Sequence, residues 1–193
     1  MSKLRIKIEH DEDAQDPRTE YDQQTTFAFF HKRYTLGDKD HGLRSEDFRN
    51  WDTMEGHIRK EIKPVYLTAV YMYDHSGITI KSIPFLCLWD SGQIGFAWIT
   101  RKQLAECTGT FKRLTKALKA RAEEIVETDI KVYDQYLTGD VWEFLVEKQE
   151  EKGGEWEHED SCSGFRGSDW RTNGMADHIQ KLVDGGAEIV EVP

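Results

Sequence analysis

Residues 65–80 read Val65-Tyr66-Leu67-Thr68-Ala69-Val70-Tyr71-Met72-Tyr73-Asp74-His75-Ser76-Gly77-Ile78-Thr79-Ile80. The first nine are rich in β-branched and aromatic residues and contain neither proline nor charge, which is strand composition. Asp74-His75-Ser76-Gly77 supplies turn residues before Ile78-Thr79-Ile80 resumes the strand pattern, so the segment predicts a hairpin with a tight connection.

The flanking sequence adds strands of the same kind. Leu4, Ile6 and Ile8 alternate with Arg5, Lys7 and Glu9 at period two; Thr25 to His31 is a second strand, and Ile94 to Ile99 a third. Ser45, followed by Glu46 and Asp47, opens a predicted helix carrying Phe48, Trp51, Ile58 and Ile62, which Pro64 stops. Thr100 with Gln103 forms a capping box for a short helix. One long helix is predicted over 110–137, from the 3–4 residue recurrence of Phe111, Leu114, Leu118, Ala122, Ile125, Tyr133 and Leu137, with Gly139 ending it. Val141 to Val146 and Glu155 to Phe165 read as an antiparallel pair around the Lys152-Gly153-Gly154 turn. A last helix falls near 174–184 and a final strand at 189–192. These elements predict one α+β domain over 1–193, a mainly antiparallel sheet with the long helix packed on it and shorter helices near 45–63 and 174–184.

Composition bounds the class. The chain has 193 residues, 38% apolar and 32% charged, with six Trp, seven Tyr and nine Phe, enough to build a core. No apolar run approaches the roughly 18 residues a membrane helix needs, and the first residues lack the apolar centre of a signal peptide. Three cysteines, Cys87, Cys107 and Cys162, with no Cys-x-x-Cys spacing, fit a cytoplasmic protein with free thiols. The net charge of −10 is unevenly spread: 101–122 carries seven basic and one acidic residue, whereas 123–193 carries six basic and 19 acidic. An acidic surface repels free nucleic acid and suits a basic partner, so no direct duplex binding is expected.

Few motifs carry chemistry by spacing. The seven His residues show no His-x-x-x-His or His-Glu-x-x-His pattern, so zinc is not expected, and no phosphate-binding glycine loop is present. No cofactor and no metal are predicted. Asp74, His75 and Ser76 are of triad type, but contiguous residues rarely face one another, and a hairpin turn is the expectation. Trp89-Asp90-Ser91-Gly92 is a similar turn. Were Asp74, Asp90, Asp134, Asp140 and Asp160 to converge, their oxygens could hold Mg²⁺ or Mn²⁺. In His31-Lys32-Arg33-Tyr34, either a phosphate is received or Arg33 pairs with an acid of the 10–24 loop; the pair is the expectation. The basic half of the long helix, Lys112, Arg113, Lys116, Lys119 and Arg121, reads as a solvated face with pairs such as Lys119–Glu123, or as a docking surface for an acidic partner.

Several strings together have a familiar look: Asp16-Pro17-Arg18, His31 to Asp38 (His-Lys-Arg-Tyr-Thr-Leu-Gly-Asp), Tyr73 to Gly77, Pro84-Phe85, Trp89 to Phe96, Tyr133 to Val141 and Asp160 to Phe165. In this order they resemble a family of uncharacterised accessory proteins carried by bacteriophages, plasmids and other mobile elements. The resemblance implies a bacterial cytoplasmic setting and, by association, inhibition of host defence, as anti-CRISPR proteins do; it carries no catalytic roles with it.

Two functions follow as expectations. In the first, the protein binds and inhibits a host defence nuclease complex through an acidic, nucleic-acid-mimicking surface. Its predicted contact residues are Glu143, Glu147, Glu150, Glu151, Glu155, Glu157, Glu159 and Asp160, with Glu143 and Glu147 sharing one face and Glu155, Glu157 and Glu159 another if that strand is regular. The alternative is a metal-assisted hydrolase acting on a phosphorylated small molecule or nucleic acid through Asp74, His75, Ser76, Asp90, Asp134 and Asp140.

Overall fold

The hairpin predicted from 65–80 forms as β3 (Tyr66–Asp74) and β4 (Ile78–Lys81), paired antiparallel with Asp74 opposite Ile78. Ser76 closes the turn in the left-handed region, at φ 60°. The computed structural model describes residues 3–191 other than 22, 23, 88, 110–112 and 152. The remaining strands are β1 (Lys3–His10), β2 (Thr26–Phe29), β5 (Ser91–Ile99), β6 (Val141–Gln149), β7 (Glu157–Arg166) and β8 (Glu188–Glu191). The helices are α1 (Trp51–His57), α2 (Arg101–Thr108), α3 (Lys116–Thr138) and α4 (Ala176–Asp184). The α+β class holds, but the strands divide between two four-stranded sheets, ordered β2-β5-β3-β4 and β7-β6-β1-β8, where one sheet was predicted. The chain forms two compact units: residues 16–134 make a central unit, and 1–15 with 135–193 make a unit from both termini.

In the central unit the sheet is fully antiparallel and covered on both faces. Strand alternation explains this. Ala28, Phe96 and Trp98 pack with Met54 of α1 and Ile58 of the π-helical turn that follows it. Phe27 and Phe29 point the other way, their rings 6.0 and 6.5 Å from the Tyr133 ring of α3. Polar ties fix α3 to the sheet: Tyr66 donates to Glu127 at 2.9 Å, and Asp134 accepts from Thr79 Oγ1 and the Ile80 N–H, each at 2.7 Å. Through these contacts the long helix packs on β2, β3 and β4 of this sheet.

Two helix starts differ from expectation. Ser45–Asp47 is only a 3₁₀ turn; α1 begins at Trp51 because Asn50 and Thr53 form a reciprocal capping box there. Lys63, in the left-handed region, ends the following turn before Pro64. The long helix starts at Lys116, where Thr115 Oγ1 accepts the Leu118 N–H at 3.2 Å. Thr110, Phe111 and Lys112 lie outside the described residues, Leu114 is not helical, and Leu118 is only half-buried. The buried stripe is Ala122, Ile125, Val126, Ile130 and Tyr133. The Thr100–Gln103 capping box of α2 forms as predicted. On the polar side of α3 the ion pair is Arg121–Glu124 at 2.7 Å.

In the unit built from both termini, β1 pairs antiparallel with β6 over its whole length, and β8 adds to β1 in parallel. Ile6, Ile8, Phe144 and Val146 face Trp170, Met175 and Ile179, so α4 covers that side. The opposite side of β1 and β6 carries Arg5, Lys7 and Glu9 opposite Glu147, Leu145 and Glu143. Strand β7 forms an edge. The predicted final strand ends at Glu191 among the described residues.

Candidate functional site

The turns singled out by their Asp, His and Ser residues lie at one end of the central sheet. The Asp74 N–H donates to the Asp90 carbonyl at 2.8 Å, which joins the two turns. A cleft of about 270 Å³ opens there, lined by His31, Arg33, Met72, Asp74 and residues 89–94. The side chains in it are already engaged. Asp74 forms an ion pair with Arg33 and accepts weakly from Tyr34 Oη at 3.4 Å. Arg33 thus pairs with an acid, but with Asp74 rather than one from the 10–24 loop. His75 sits 3.3 Å from Asp90 across an exposed pair. Ser91 Oγ donates to the Cys87 carbonyl, which occupies its proton. Ser76 lies exposed at the turn. The arrangement therefore brings Asp74, His75 and Asp90 together; the Cys87 thiol reaches Asp90 only through a long 3.9 Å contact, and neither Ser76 nor Ser91 is held against a base.

The other two predicted carboxylates are used elsewhere. Asp134 ties α3 to β4 as described. Asp140 belongs to the unit of both termini, where it accepts from the Trp142 indole at 2.9 Å and the Gln135 amide at 3.2 Å. Among the described residues no group of three or more His, Cys, Asp or Glu side chains is placed to hold a metal ion. Burial, then the charge of Asp129, pushes the Cys107 thiol above its ordinary pKa and so disfavours the reactive thiolate.

The acidic residues differ in how far their charge is compensated. Glu147 is withdrawn from solvent contacts: Arg5 reaches it at 2.5 Å and Lys7 at 3.1 Å. Burial would raise its carboxyl, but the hydrogen bonds from Arg5 and Lys7 outweigh it and hold the group below the usual value. Although Glu143 and Glu147 share a face, only Glu143 keeps an uncompensated charge. It lies opposite Glu9, and burial together with Asp11, Glu9, Asp13 and Glu12 pushes its pKa up. Glu150 pairs with Lys148 at 2.5 Å, and Glu151 is exposed at the turn.

Glu155, Glu157, Glu159 and Asp160 are exposed on or just before the edge strand β7. They do not form the regular row expected. The register with β6 shifts between Val146, opposite Asp160, and Glu147, opposite His158, so Glu159 sits at a bulge. Glu155 precedes the strand. The same strand shifts again near Gly164, whose N–H donates to Asp11 at 3.1 Å.

One polar cluster escaped sequence reasoning. Arg18 is buried and forks onto Asp38 with two 2.8 Å bonds, donates to the Thr25 carbonyl at 3.0 Å and stacks 3.9 Å over the Phe27 ring. Thr25 also donates to Asp129 at 2.6 Å. This gives a structural role to Asp16-Pro17-Arg18 and Leu36-Gly37-Asp38, two of the strings quoted above. Ile83, Leu86 and Trp89, between β4 and β5, are exposed. Comparisons with family models, with curated proteins and with solved structures find no match. Among the described residues no helix is long and apolar enough to cross a membrane.

Proposed function

We propose that this is a binding protein whose acidic unit docks on a basic, nucleic-acid-binding surface of a partner protein. One observation carries the reading: charge divides with the two compact units. Residues 16–134 hold 18 basic and 18 acidic side chains, whereas 1–15 with 135–193 hold eight basic and 18 acidic, so the whole net charge of −10 belongs to one unit. Within that unit the exposed acids of β7 and the group around Glu143 supply uncompensated negative charge. Such a field speeds encounter with a positive groove and suppresses binding to free nucleic acid. The resemblance to mobile-element accessory proteins makes a host defence nuclease complex, of the kind anti-CRISPR proteins inhibit, the partner class proposed. The engaged state of Asp74, Asp90, Asp134 and Asp140 favours this reading over a hydrolase.

The test is capture of partners from a bacterial host lysate on wild-type protein and on the Glu155→Lys, Glu157→Lys, Glu159→Lys variant. A partner with a nucleic-acid channel should be retained at low salt, released at high salt or by a DNA oligonucleotide, and lost from the variant. The variant's melting temperature should change little, since exposed substitutions shift stability by about 0.5 kcal/mol or less each. Equal retention by the reversed variant would sink the acidic-surface reading.

A further inference from the structure

A second, larger cleft lies in the central unit where the chain leaves β2. Its volume is about 620 Å³, within the range of about 300–1,000 Å³ usual for small-molecule sites. It is independent of the acidic surface. Its inner wall is apolar and aromatic, from Phe29, Phe30, Leu36 and Trp51. Trp51 is held between Phe30 and Phe96, at 6.3 and 6.0 Å between ring centroids. At the rim, His31 stacks on Tyr34 with centroids 5.0 Å apart and planes 9° from parallel.

Besides the hydroxyls of Tyr34, Thr35 and Ser45 and the carboxylate of Asp38, the polar side chains lining this cleft are cations and imidazoles. Lys32 and Lys39 line it and are exposed. His31 and His41 line it too, and each accepts a backbone N–H at Nδ1, from Arg33 at 3.3 Å and from Leu43 at 3.2 Å. A backbone N–H only donates, so Nδ1 carries no proton in either ring and the proton sits on Nε2. Both imidazoles therefore offer an Nε2–H donor. Burial lowers the His41 pKa against the opposing pull of Asp38 and Asp40. Among the described residues lining the cleft the one carboxylate is Asp38, and its two oxygens are taken by Arg18 and by the Phe27 N–H at 2.8 Å. The cleft thus joins flat apolar surfaces to two ammonium groups and two imidazole donors, with its one acid already neutralised.

We propose that this cleft binds a small anion with a flat ring, of the chemistry of a nucleoside monophosphate: the base against the Trp51 and Phe30 wall, the phosphate between Lys32, Lys39 and the imidazoles. Aromatic walls accept any base by stacking, and charge-assisted donors hold a phosphate. Neither His31-Lys32-Arg33-Tyr34 alone nor its phosphate alternative shows this, because Lys39, His41 and Trp51 come from later in the chain.

The test is calorimetric titration of the full-length protein with AMP, UMP, adenosine and inorganic phosphate, at low and moderate salt. AMP and UMP should bind saturably, and adenosine and phosphate each at least about tenfold more weakly, since each loses one half of the contacts. Lys32→Ala/Lys39→Ala, two exposed changes, should weaken AMP by at least about tenfold while the melting temperature stays within a few degrees. Absence of saturable binding by both nucleotides at millimolar concentration would overturn the proposal. So would unchanged AMP affinity in a double variant that melts like wild type.

Discussion

Replacing Arg18 tests the buried polar cluster that organises the central unit. Its side chain is 2% exposed, and Arg18→Ala leaves Asp38 and Asp129 desolvated without their counter-ion. Removing one partner of a buried pair costs about 3–5 kcal/mol, and the stack on Phe27 is worth about 1 kcal/mol more, partly the same loss; about 4 kcal/mol is expected. For a chain of this length each kcal/mol moves the midpoint by about 2–4 °C, so the melting temperature should fall by about 8–16 °C. Arg18→Lys keeps the charge but not the fork onto Asp38, and should lose about half as much. Urea unfolding followed by circular dichroism and tryptophan fluorescence measures both. The deficit should also depend on pH. Burial holds the Asp129 carboxyl above its ordinary value of 3.8, with Thr25 and Arg18 opposing the shift, so losing Arg18 drives it higher. A carboxyl raised on folding penalises the folded state above its folded pKa, and the penalty vanishes as pH falls towards the unfolded value. The gap between Arg18→Ala and wild type should therefore narrow as pH is lowered towards 4. A loss below about 1 kcal/mol at pH 7, or a gap that widens on acidification, would refute a desolvated Arg18–Asp38–Asp129 cluster.

Gly95→Ala should be among the most damaging single changes, costing more than about 4 kcal/mol, because a Cβ there would lie 1.9 Å from the Ala28 carbonyl oxygen and force β2 off β5. Gly92→Ala in the same strand meets nothing within 4 Å and should cost less than about 1 kcal/mol; thermal melts compare the two. Ile130→Ala should cost about 2–5 kcal/mol, more than Leu118→Ala, since Ile130 is in the buried stripe of α3 and Leu118 is half-exposed; equal losses in urea titrations would contradict the helix orientation. Burial, then the bond and charge of Glu127, raises the Tyr66 pKa to about 12 from 10.0, so Tyr66 contributes stability that is complete below pH 10 and lost as pH rises through 12. Absorbance titration at alkaline pH should show a late-ionising tyrosine that Tyr66→Phe removes.

What could be read from the sequence was local. The β3–β4 hairpin, the Thr100–Gln103 capping box, the alternation of β1 and the packing of the long helix on the central sheet all rest on residues a few positions apart or on one periodic face. Boundaries failed where two local signals competed: Asn50–Thr53 outdid Ser45 as a cap, and Thr115 started α3 later than its apolar spacing suggested. The candidate turns at Asp74 and Asp90 do meet, because β3 and β5 pair with Tyr73 opposite Ser91, but their pairing with Arg33 and His75 is set only in three dimensions.

The sequence by itself determined the α+β class, the main strands and helices, and the total charge, since these follow from composition and short-range periodicity. Tertiary structure alone decided which strand pairs with which. Lys3 finds Gln149 across the chain, and β8 returns in parallel beside β1, because burying the Ile6 and Ile8 face requires partners from the far end. That closure divides the molecule into two units and collects its net charge in one. Within the central unit, tertiary packing likewise turns Arg18 inward to Asp38 and gathers His31, Lys39, His41 and Trp51 around one cleft. Such long-range pairing leaves no periodic signal, as its residues are selected by packing and charge complementarity in space rather than by spacing along the chain.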